Sequence, residues 1–298
     1  ADGVRDFLEA KKQPATLRVW VNTYLGESWE EQGEAVDDYE LSQRREDWDA
    51  LPREVLLLTA GVDVQDDRLE VEVVGWGLDE ESWSIHYQTI YGDPSSPKVW
   101  DDLDVVLARK WEHESGSEMI ATATCVDSGG HHTQSVYKYC KAREGRRVFA
   151  IKGVGGDGRP LVGRPSKNNI GKVNLFPIGV DTAKHLLFSR FRITEPGAGY
   201  CHFPSDRDDE YFKQLTAEKI ATRYHKGFAR REFVKVRPRN EALDVRVYAM
   251  AALTLLNANL KALHNRMMAN LDKSEQVNKV APQMKKVQRG GAFVNRWR

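Results

Sequence analysis

Cysteine is scarce: Cys125, Cys140 and Cys201 are the three thiols in a chain of 298 residues. An odd, scattered set builds neither a disulfide framework nor a CxxC zinc site, so a reducing compartment is expected. No run of eighteen apolar residues occurs, which leaves no candidate membrane helix. The opening ADGVRDFLEAKKQ is charged where a signal peptide needs its apolar stretch. These absences predict a soluble, intracellular protein with no membrane partner. The phosphate-cradling pattern GxxxxGK[ST] is missing as well. NNIGKVN has a Gly-Lys pair, but neither the earlier Gly nor a following Ser or Thr, which argues against ATP-driven chemistry in this chain.

Net charge is the last absence, with 44 basic residues against 44 acidic ones. The balance conceals an asymmetry. Acids dominate from Glu27 to Glu81, and bases take over from Lys138, through KYCKAREGRR and the stretch Lys219 to Arg246, to a tail that carries Lys273, Lys279, Lys285, Lys286, Arg289, Arg296 and Arg298. Basic surface suits a polyanion, because Lys and Arg displace counterions from phosphate. The plain alternative is a set of solvated faces.

What is present is enough apolar residue, 41%, for a core. Residues 1–45 lack a sustained period and read as a lead-in segment. Residues 55–63, 69–77 and 82–91 alternate as strands, with Asp66-Asp67 and Asp79-Glu80 at the turns, which predicts an antiparallel meander. SSPKVWDDLDVVLARKWEHE then has Pro in a first helical turn and apolar residues at Val99, Leu103, Val106 and Leu107. The strand EMIATATCVD, the helix HHTQSVYKYCKAR and the strand RRVFAIKG follow, giving an α/β order. GVGGDGRPLVGRPSKNN reads as a loop. VNLFPIGV is a further strand, and DTAKHLLFSRF a helix with Asp181 as its N-cap. KIATRYHKGFARREFVKV suggests a hairpin turning at Lys226-Gly227. RNEALDVRVYAMAALTLLNANLKAL is a strong helix, capped by Asn240 and almost continuously apolar from Val245 to Leu256. The chain thus divides into the lead-in, a domain over 46–261 and a basic, flexible tail over 262–298.

Three carboxylates occupy matching places. Asp63 and Asp127 each close an apolar strand, and Asp244 lies in the first turn of the last helix with Glu241 one turn earlier on the same face. In open α/β sheets, sites form beyond the carboxyl ends of strands. Acids gathered there repel one another unless a cation lies between them. Carboxylates suit Mg²⁺ or Mn²⁺, and two such ions serve phosphodiester hydrolysis. Each acid also has an ordinary reading: a turn residue for Asp63, a cap or loop acid for Asp127, and a helix-dipole partner for Glu241 and Asp244. His131-His132 and the Cys201-His202 neighbours raise a zinc reading, but without ligand spacing.

TAGVDVQDDRLEVEVVGWG, CVDSGGHHTQSVYKYCK, VFAIKG and RNEALDVRVYAMAA, in that order, resemble the C-terminal nuclease domain of the lambda-type (GpA-like) phage terminase large subunit. The resemblance covers about residues 50–260. It implies an RNase H-like mixed sheet flanked by helices, and an endonuclease that cuts concatemeric phage DNA in the host cytoplasm with two Mg²⁺ or Mn²⁺ ions. By motif, Asp63, Asp127 and Asp244 match the metal-binding acids, and Glu241 competes for the third place. Lys152, Lys184, Lys226, Arg230 and Arg231 are candidate contacts to DNA. The terminase small subunit and the portal of the procapsid are the implied partners beside duplex DNA. The lead-in resembles the exit of an ATPase motor that this chain lacks. An RNase H-like resolvase or integrase, or a non-catalytic module docking DNA or the portal, are the alternatives.

Overall fold

The computed structural model describes residues 2–11, 19–25, 36–156, 158–167, 172–225 and 228–280. The strands are β1 (Arg45–Glu46), β2 (Leu57–Val64), β3 (Arg68–Trp76), β4 (Ser82–Tyr91), β5 (Trp111–Glu112), β6 (Glu118–Met119), β7 (Ala121–Asp127), β8 (Val148–Val154), β9 (Ser166–Lys167), β10 (Asn174–Gly179), β11 (Cys201–Pro204), β12 (Glu218–His225) and β13 (Phe228–Lys235). Nine of them form one sheet in the order β1-β11-β4-β3-β2-β7-β8-β10-β9. β2, β3 and β4 are the antiparallel meander. β7 joins β2 in parallel on the other side, and β8 and β10 continue in parallel. The central run β4-β3-β2-β7-β8 therefore stands in chain order 3-2-1-4-5, three antiparallel strands followed by two parallel ones. This is the RNase H-like mixed sheet.

Both faces are covered, as parallel strands require. On one face the helices Pro97–Leu107 and Thr133–Ala142 bury Leu103, Val136 and Cys140 against Leu58, Ala60, Val62, Leu69, Val71 and Val126. The other face lies under Glu241–Leu256, here the covering helix, with Val180–Phe191 and Asp209–Leu215 beside it. The covering helix is buried almost all round, so its apolar residues need no stripe. The sheet grips it by hydrogen bonds: Trp76 Nε1 donates to Thr59 Oγ1 at 2.8 Å, and that hydroxyl donates to the carbonyl of Ala249 at 2.7 Å.

The structure departs from the sequence pattern in several places. β11 and Asp209–Leu215 had no clear pattern in the sequence, because both are short and lie at an edge. The loop after β8 contains β9, which pairs with β10. Asp181 lies inside its helix, whose cap is Gly179, and instead accepts the Gly156 N–H at 2.6 Å. Asn240 occupies the cap position without bonding a helix amide. The first part of the stretch read as tail, residues 262–280, belongs to the helix Leu260–Val280; the rest of the basic tail lies outside the described residues. The hairpin β12–β13 is formed as expected, though its turn at Lys226-Gly227 lies outside the described residues. No described helix is long and apolar enough to cross a membrane.

Candidate functional site

β2 and β7 run parallel with Val62 opposite Val126, so the next residues, Asp63 and Asp127, stand side by side near the ends of their strands. Alternation puts both beneath the covering helix. Thr59 and Gly61 precede Asp63 on that face and meet the helix at Ala249 and Val245. Ala123 and Cys125 precede Asp127 in the same core. A Cβ on Gly61 would lie 1.9 Å from the Val245 carbonyl oxygen. Only glycine allows this approach, which presses the start of the helix, with Asp244, onto β2 beside Asp63.

Electrostatics show how the acids meet. Asp63 is 5% exposed. Burial lifts its pKa to about 7, Asp244 and Asp127 add to the rise, and Gln65 opposes it by donating to Oδ2 at 2.5 Å. Burial lifts Asp127 to about 6, with the Gly129 amide opposing, Asp244 adding and Lys152 opposing. Asp244 is raised by burial, with Lys184 opposing. Tyr248, one turn along the helix, has its phenol pushed up by burial and then by Asp127, Asp244 and Asp63. The three acids thus act on one another and on a common hydroxyl.

Asp127 Oδ1 is buried without a hydrogen-bond partner. A buried carboxylate oxygen with nothing to accept is costly, and a hard cation removes that cost. Among the described residues, no three His, Cys, Asp or Glu side chains close tightly enough to cage an ion unaided. Mg²⁺ needs no such cage, because it is held by one or two carboxylates and completes its shell with water and substrate phosphate. The donor set therefore fits hard divalent ions.

Glu241 also raises Asp63, but it has arginine partners of its own. Its Oε1 accepts from Arg68 at 2.6 Å and its Oε2 from Arg239 at 3.3 Å. Asp244 instead accepts from Asn240 at 2.9 Å and lies 3.5 Å from Lys184 Nζ. Lys184 is buried and paired at 2.6 Å with Glu218, which differs from the surface phosphate contact expected of it. Lys152 is exposed at the end of β8 near Asp127, and Arg231 is exposed on β13. Lys226 lies outside the described residues, as does the side chain of Arg230. His131 and His132 lie 3.0 and 3.6 Å from Asp66 in the β2–β3 turn. His202 sits three strands from β2, between Glu46 and Glu81 and stacked on Trp83. Sequence reading missed Gln65, Lys184 as a partner of Asp244, Glu218 and Tyr248. Of these, Gln65 had a signal, lying two residues past Asp63 on the same face.

Comparison with known proteins gives the family. A family model described as the terminase large subunit gpA, endonuclease domain, matches residues 1–266. The chain is 35% identical over 281 residues to the terminase large subunit of Escherichia phage lambda, covering 91% of this chain and 44% of that protein. It is also 35% identical over 260 residues to the corresponding subunit of Enterobacteria phage P21, covering 84% of this chain and 40% of that one. It spans less than half the length of these relatives. Among solved structures, a mutant nuclease domain of the large terminase subunit gp2 of bacterial virus Sf6, with manganese and beta-thujaplicinol, aligns with TM-score 0.45 and 13% identity over 73% of this chain and 98% of that one.

Proposed function

We propose, for a chain that belongs to the family of terminase large subunit gpA endonuclease domains, that it is a metal-dependent endonuclease acting on double-stranded phage DNA during packaging. The observation that carries this reading is the mutually repelling trio Asp63, Asp127 and Asp244, the first buried and the other two half-buried, with Asp127 Oδ1 left without a partner. Asp63, Asp127 and Asp244 would hold the ions, two Mg²⁺ or Mn²⁺. Bound ions of this kind activate water and offset charge on the scissile phosphate. Gln65 orients Asp63, Lys184 and Asn240 fix Asp244, and the Gly129 amide orients Asp127. Exposed Lys152 lies where a DNA phosphate approaches Asp127. Contacts to backbone phosphate position DNA without reading bases, so cleavage is salt-sensitive with little sequence preference. The terminase small subunit and the portal are partners of the whole subunit.

The test is plasmid cleavage with Mg²⁺ or Mn²⁺. Asp63→Ala and Asp127→Ala should each lose more than about 100-fold in rate, beyond the 10–100-fold typical of residues that only support a ligand. Variants that cut as fast as the parent reject the site.

A further inference from the structure

Glu70 is a buried acid beside this site that the mechanism leaves unused. It lies on β3 directly opposite Asp63 on β2, on the same face, where opposed like charges destabilise a sheet. Glu70 is fully buried, and its oxygens are taken. Oε1 accepts from Arg68 Nε at 2.9 Å and from Arg239 Nη2 at 2.8 Å. Oε2 accepts from the Tyr87 hydroxyl and the Thr89 hydroxyl, each at 2.8 Å. Four donors match the roughly four acceptor sites of a carboxylate, so nothing remains for a metal.

The same two arginines hold Glu241. Two guanidinium groups and two carboxylates thereby close a ring that ties the middle of the sheet to the first turn of the covering helix. Glu241 is one turn from Asp244 on the same side of that helix. From the other flank, Asn240 and Lys184 meet Asp244. The third acid is bracketed.

We propose that Glu70 is a positioning residue: through Arg68 and Arg239 it anchors Glu241, and so sets where Asp244 stands relative to Asp63. The inference rests on the nuclease reading of the site. It also assigns the competing acid a role, since Glu241 serves as the anchor of the helix start and Asp244 as the ligand. Outer groups that orient metal-binding side chains are worth 10–100-fold in metal affinity or activity.

The experiment titrates Mn²⁺ into the purified chain by calorimetry, and measures plasmid cleavage over a range of Mn²⁺ concentrations, with the melting temperature recorded for each variant. Glu70→Gln should weaken Mn²⁺ binding by about 10–100-fold and raise the half-saturating Mn²⁺ for cleavage by a similar factor, while the rate at saturating Mn²⁺ changes far less. Arg239→Gln should reproduce this shift, and Arg239→Lys should recover part of it. Arg239 is 41% exposed, so its variants carry the test if Glu70→Gln does not fold. Parent-like Mn²⁺ binding in Glu70→Gln and Arg239→Gln overturns the proposal, and so does a fall in melting temperature with no change in metal affinity. Asp63→Asn separates the two readings: if it too binds Mn²⁺ like the parent, the nuclease site itself is misassigned. Loss of binding in Asp63→Asn alone rejects only the role of Glu70.

Discussion

Two sets of acids lie at the covering helix, and the fold treats them in opposite ways. Glu70 and Glu241 share Arg68 and Arg239, and Glu72 meets Arg246 at 3.0 Å with both side chains fully buried. Ser84 and Tyr211 also donate to Glu72, at 2.7 and 2.8 Å. Asp63 and Asp127 receive Gln65 and backbone amides, and Asp244 shares Lys184 with Glu218. Arginine thus fastens the acids that build the fold, while the trio is left in want of positive charge. The difference in partners separates structural acids from proposed metal ligands where burial alone would not, since Asp63 is as buried as Glu241.

The comparison breaks most severely at Arg246. Arg246→Ala strands Glu72 in the core and should cost about 3–5 kcal/mol in chemical denaturation, whereas the double change Arg246→Met with Glu72→Leu should recover most of that loss.

The next effect comes from the trio. A carboxyl whose pKa is raised by folding holds its proton more tightly in the folded chain, so its contribution is full below the unfolded value near 4 and is lost as pH rises through the folded one. With Asp127 at about 6 and Asp63 at about 7, metal-free protein should lose on the order of 2–4 kcal/mol between pH 5 and pH 8. Saturating Mn²⁺ should remove most of the loss, because the cation takes the proton's place. Calorimetric melting at both pH values, with chelator and with Mn²⁺, checks this; equal metal-free stability at the two would erase the distinction drawn above.

The mildest break is Gly61→Ala. The added methyl collides with the Val245 carbonyl and should cost about 1–3 kcal/mol in the same denaturation measurement. It should lower cleavage as well, since it lifts Asp244 away from Asp63.

Much of this was legible in the sequence. Asp63 and Asp127 were exposed as candidates by ending apolar strands, and the meander followed from alternation and its turn residues. Alternation did not say which face is wet: in RLEVEVVGW, Glu70 and Glu72 alternate with apolar residues, yet both faces are buried, theirs under the covering helix. The clue was Arg246, a lone cation in an apolar helix, whose meaning depends on which strand the helix crosses. The choice between Glu241 and Asp244 was closed to pattern for the same reason: both lie in one turn on one face, and what distinguishes them is that Glu241 meets Arg68 of β3 and the neighbouring Arg239, whereas Asp244 meets Lys184. Glu218 and Lys184 come from a strand start and a helix that meet only in three dimensions.

The seating of the covering helix has a mechanical corollary. The segment that presents Asp244 is also the lid of the larger apolar core, gripped by Thr59 and fitted into the gap that Gly61 leaves. Dismantling the trio by swinging that lid would wet a dozen core side chains, so the pocket has no inexpensive open form. If the chain cuts DNA as proposed, restraint has to act from outside, on whether a duplex reaches the rim.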